Sequence, residues 1–142
     1  MRLLLAATML AIALPDRPLR TPPTVRTPQE QILGDWHYIG NGPKSDPVQA
    51  QANMVFRITP TETLWMVNGN PSPGNGFNAK ITFEWTKTPV AWDMMSHQGG
   101  APLRGILRLE GDRLLIAWSN DQNRPVDFVA PHNVHLFTRV KS

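Results

Sequence analysis

Residues 103–119 read LRGILRLEGDRLLIAWS, and this stretch decides the fold class. Two runs of β-forming residues, Leu103 to Glu110 and Arg113 to Ser119, flank Glu110-Gly111-Asp112-Arg113, which has the length and chemistry of a tight hairpin turn. The turn joins Leu107 and Leu109 on one side to Leu114 and Ile116 on the other, so the segment reads as an antiparallel pair.

The same kind of run recurs outward in both directions. Leu33 to Ile39, Asn53 to Thr59, Thr63 to Asn68, Lys80 to Thr86, Val90 to Ser96 and Val134 to Val140 are each rich in β-formers and bounded by Gly, Pro, Asn or Asp. Several alternate: Met54, Phe56 and Ile58 share one face while Val55 and Arg57 share the other, and Ile81, Phe83 and Trp85 oppose Lys80, Thr82, Glu84 and Thr86. Thr59 to Glu62 makes a turn opened by Pro60. Asn68 to Asn78, NGNPSPGNGFN, is expected to be a long exposed loop. No helical period is long enough for crossovers, and sequential hairpins remove their edges most economically by closing on themselves. The expected fold is all-β, an antiparallel up-and-down barrel of about eight strands.

Upstream, Met1-Arg2 followed by the apolar run Leu3 to Leu14 reads as a signal peptide, with Ala11-Ile12-Ala13 as a cleavage site. Such a run is too short to span a bilayer comfortably, so no membrane span is expected after cleavage. Residues 15–29 read as a proline-rich linker ending in a short helical turn. Thr27 caps that turn, Pro28 takes its first position and Glu30 completes a capping box. The barrel domain occupies residues 30–142, and the protein is expected to be exported to the periplasm, cell envelope or medium.

Composition excludes several classes of function. Without cysteine there is no disulfide, thiol nucleophile, thiolate metal site or lipobox. The formal charge is +3, but Arg2, Arg17, Arg20 and Arg26 lie in the signal and linker, which leaves a nearly neutral domain. With no clustered Lys or Arg to neutralise successive phosphates, nucleic acid is not an expected partner.

The chain resembles an uncharacterised lipocalin-like domain family expanded in planctomycete bacteria. The resemblance is carried by Leu33-Gly34-Asp35-Trp36, Pro89 followed by Asp93, Gly105-Ile106 leading to Leu109-Glu110-Gly111-Asp112, Arg124-Pro125 followed by Phe128, and Leu136-Phe137-Thr138-Arg139. Leu107 departs from the aromatic that commonly follows Gly-Ile there. The resemblance implies export and a lipocalin-like barrel and supplies no catalytic residues. Gly34-Asp35-Trp36 also looks like the Gly-x-Trp motif of true lipocalins, which implies a structural barrel-end pair of Trp36 with Arg139.

Candidate chemistry is sparse. His132-x-x-His135 is the one close histidine pair, but residues three apart on a strand face opposite ways and no acid lies nearby, so no metal is expected. Asp93, His97, Asp35 and His37 offer acid and base types with nothing to place them together, and no nucleophile elbow exists. Asp93 is expected to pair with Arg124. Gly40-Asn41-Gly42-Pro43 is read as a turn, since no lysine-bearing helix follows it. No catalytic residue and no cofactor are expected.

The richest feature is apolar. Trp65, Trp85, Trp92, Trp118, Met54, Met66, Met94 and Met95 are candidates to line a cavity for a small hydrophobic ligand. The alternative is a packed interior in a structural or interaction module of the cell envelope, recognising protein or polysaccharide through exposed tryptophans and edge strands.

Overall fold

At Thr27 the hydroxyl accepts a hydrogen bond from the Glu30 amide at 3.2 Å while the Glu30 carboxylate accepts from the Thr27 amide at 2.8 Å, closing a reciprocal capping box. The box starts α1 (Pro28–Ile32), the short helical turn expected from sequence. The computed structural model describes residues 24–42, 53–72, 78–119, 121–129 and 132–141. The signal, the linker before Thr24 and the 73–77 part of the glycine-rich segment lie outside the described residues.

Among the described residues nine strands follow α1: β1 (Gly34–Asn41), β2 (Met54–Ile58), β3 (Glu62–Val67), β4 (Asn70–Pro71), β5 (Ala79–Glu84), β6 (Val90–Ser96), β7 (Leu103–Glu110), β8 (Arg113–Trp118) and β9 (Asn133–Arg139). Every pairing is antiparallel, and β1 pairs with both β2 and β9 while β2 also pairs with β3. All but β4 therefore form a closed, up-and-down, lipocalin-like barrel of eight strands. Gly111 and Asp112 alone join β7 to β8, and Gly111 takes φ +59°, a conformation that suits glycine in a tight hairpin.

One expectation needs correction. The segment from Asn68 is not loop throughout: Asn70 and Pro71 fold back as β4 onto Val67 and Met66. Asn78, at the other end, donates to Ser72 O at 2.6 Å and accepts from the Trp65 amide at 2.6 Å. These local bonds hold the seam between β3 and β5, where only Glu62↔Lys80 and Thr63↔Ala79 are in register.

The core has two compartments because β8 is apolar on both faces. Leu114, Ile116 and Trp118 point inward with Trp36, Phe56, Trp65, Trp92 and Phe137, whereas Leu115 and Ala117 belong to an outer cluster with Ile39, Ile106, Val134 and Leu136. Phe128, from the segment between β8 and β9, completes that outer cluster. Arg124 anchors the same segment: one guanidinium nitrogen donates to Trp92 O and Gly105 O, both at 2.8 Å, and another to Asp93 at 2.6 Å. Gly105 permits this arrangement, since a Cβ there would overlap the Trp92 ring and the Ala117 carbonyl.

Candidate functional site

At the end of the barrel that α1 covers, Trp36 is completely buried and its indole N–H donates to Ile32 O at 2.9 Å. The Arg139 guanidinium lies 4.0 Å from the centre of the Trp36 ring and donates to Leu33 O at 3.3 Å. A cation over an indole face is favoured by the ring quadrupole, and here it also bridges β9 to the end of α1. Beside it Asp35 accepts two bonds from its cross-strand partner Arg57, at 2.7 and 2.8 Å, which hold the Asp35 carboxyl below its ordinary value. These groups close the barrel end.

The interior contains one small apolar cavity of about 10 Å³, the room of about one water. Of the eight tryptophans and methionines expected to line a ligand chamber, Trp65, Trp92, Trp118 and Met94 do face this cavity. Met54 lies on the same face as Phe56 and packs at the margin of the core. Met66, in register with Val55, is on the outward face of β3, and Met95 is on the outward face of β6 and 51% exposed. Trp85 is at the opposite end from the β1–β2 connection, stacked on Phe83 at 4.4 Å. The three exceptions have simple causes: Met66 and Met95 are each one residue out of phase with an inward neighbour, Trp65 and Met94, and Trp85 follows the last residue of β5.

Sequence reasoning weighed His135 only as half of a histidine pair and did not place it inside the barrel. It shares the inward face of β9 with Phe137, two residues on, and its ring meets Trp118 edge-on at 4.3 Å and Tyr38 at 5.3 Å. Burial pushes the imidazole down to about 4. The period-two relation to Phe137 was the available signal. His132, by contrast, lies 3.6 Å from Asp127, so the two histidines diverge. Asp93 and Asp35 are each engaged by an arginine, and among the described residues no group of three or more His, Asp or Glu could hold a metal ion.

A recess with more room than the interior cavity lies outside the barrel. A cleft of about 340 Å³ opens between α1, the β5–β6 hairpin and the ends of β7 and β8, with Gln31, Trp85, Lys87 and Thr88 around it and Ile32, Val90, Leu107 and Leu109 beneath. Lys87 pairs with Glu84 at 2.8 Å, and Arg108 pairs with Glu110 while its guanidinium covers Phe128 at 4.6 Å. The cations bordering the cleft thus already have anionic partners.

Fold and site together define an all-β closed barrel with a filled interior and an external cleft. Comparison of the chain with protein-family models, curated proteins and solved structures gave no match in any of the three.

Proposed function

We propose that this is an exported, non-catalytic barrel with a packed interior, which acts as an interaction module of the cell envelope through its outer surface. The observation that carries this reading is the interior cavity of about 10 Å³. Pockets that take small molecules are roughly 300–1,000 Å³, so a hydrophobic ligand would have to displace several of the interior tryptophans at once. Tryptophan-rich packing supplies stability in place of a chamber, and among the described residues Asp35 and Asp93 are each taken up by an arginine, which supports a role by contact. Export rests on the reading of residues 1–14 as a signal peptide.

Native mass spectrometry of the protein taken gently from its own host's envelope fraction tests both parts. The expected mass is that of the polypeptide alone, shortened by a segment ending near Leu14. A stoichiometric apolar molecule released by solvent extraction would return the interior to the role of ligand chamber. An uncut amino terminus would refute cleavage of the signal.

A further inference from the structure

The geometry points to the external cleft beside Trp85 as a binding site for a neutral saccharide, an assignment that rests on the surface-recognition reading above. A pyranose ring has an apolar C–H face and a rim of hydroxyls. A partner for it must offer an aromatic plate, an apolar floor and uncharged hydrogen-bonding groups close together. The cleft offers all three. Its volume of about 340 Å³ lies within the range of small-molecule sites.

The plate is Trp85, half-buried and braced on one side by Phe83, with rings 4.4 Å apart at 28°. A braced indole has little rotational freedom left to lose when a second flat surface meets it. The floor is made by Ile32, Val90 and Leu107, all buried side chains that belong to the core. On the rim, Gln31 donates its amide nitrogen to Arg26 O at 2.6 Å, so its amide oxygen is directed as an acceptor, and Thr88 adds a hydroxyl on the hairpin.

Charge decides between saccharide classes. An acidic glycan or a phosphate would call for an uncompensated cation, but Lys87 is paired with Glu84 and Arg108 with Glu110. Recruiting either would break an existing ion pair, whereas a neutral sugar leaves both intact. A purely aliphatic ligand would strand the polar ends of Gln31 and Thr88 against apolar surface. The combination fits a neutral, hydroxylated ring.

The test uses the purified protein on a printed panel of neutral oligosaccharides built from glucose, mannose, xylose, galactose and N-acetylglucosamine, with uronic-acid and sulfated glycans alongside, followed by calorimetry with the best neutral one. Binding is expected, weakened about tenfold or more by Trp85→Ala and about threefold by Gln31→Ala, and unchanged by Met95→Ala on the far outer face. Near-ultraviolet circular dichroism from the interior tryptophans reports whether each variant folds. Should Trp85→Ala fail to fold, Gln31→Ala on the surface of α1 carries the test. No retained glycan, retention of acidic glycans only, or affinity indifferent to both cleft variants would overturn the assignment. So would displacement of the sugar by a synthetic peptide of residues 15–27, which would give the cleft to the chain's own proline-rich segment. A glycan-negative protein with a bare native mass would refute only this site, whereas an apolar molecule in the native mass would refute the packed-module reading itself.

Discussion

The wall from β6 through β9 to β1 and the wall from β2 to β5 are built differently. The first is buried on its inner face and, around β8 and β9, on its outer face too, where Ile39, Ile106, Leu115, Ala117 and Leu136 cluster with Phe128, and every neighbouring pair in it has at least four residues in register. The second has one buried face, and at β3–β5 the register shrinks to two pairs supplemented by the Asn78 side chain. Both walls enclose the same interior. The difference shows that a barrel can close geometrically at a seam that contributes little, provided the rest of the ring is doubly covered.

Truncations on the two outer faces test that contrast most directly. Leu115→Ala, at a position only 1% exposed, should cost about 2–5 kcal/mol in urea unfolding, while Leu64→Ala on the half-buried outer face of β3 should cost about 1 kcal/mol or less. Equal losses would erase the distinction. Next, Arg124→Leu should destabilise by about 2–3 kcal/mol, because it leaves two carbonyls without their donor and Asp93 without its partner. A loss under about 0.5 kcal/mol would mean that the outer cover holds without its latch.

Acid should act through His135. Its folded pKa of about 4 lies below the ordinary value of 6.5, so the unfolded chain binds the extra proton first and stability falls as pH drops through that window. The contribution is complete above about pH 6.5 and lost by about pH 4. With partial solvent screening it amounts to roughly 1–2 kcal/mol. His135→Phe should flatten that part of the pH profile, and an unaltered slope would place the titration elsewhere. The smallest effect belongs to the seam: Asn78→Ala should cost about 1 kcal/mol, with faster amide exchange confined to β3 and β5. Exchange spreading equally to β8 would mean the seam is not a separate weak point.

Much of this architecture was legible in the residues. The strand runs, the Gly111 hairpin and the Thr27 box follow from local chemistry that acts within a few residues, and the inward phase of Met54, Phe56 and Ile58 follows from alternation. The outer cluster had a signal in the unbroken run from Leu114 to Trp118, which leaves no wet face, but the partner that covers it comes from Phe128, a separation no local pattern encodes. Whether the tryptophans surround a void or fill it was not legible, because volume depends on how facing side chains interlock across strands. The same limit hid the cleft, which exists only once α1 lies against the β5–β6 hairpin.

The pairing of β1 with β9 has a kinetic consequence. Leu33 and Arg139 meet across 106 positions of chain, and Trp36 and Arg139 are themselves in register. A ring whose first strand can be completed only by β9 cannot shut until β9 has been made, and the loop it must close spans most of the barrel. Folding should therefore be a late and comparatively slow event, on the millisecond-to-second scale of chains dominated by distant contacts. Until β9 pairs, the edges of β1 and β8 stay open, and open edges of this kind are templates for pairing with other strands.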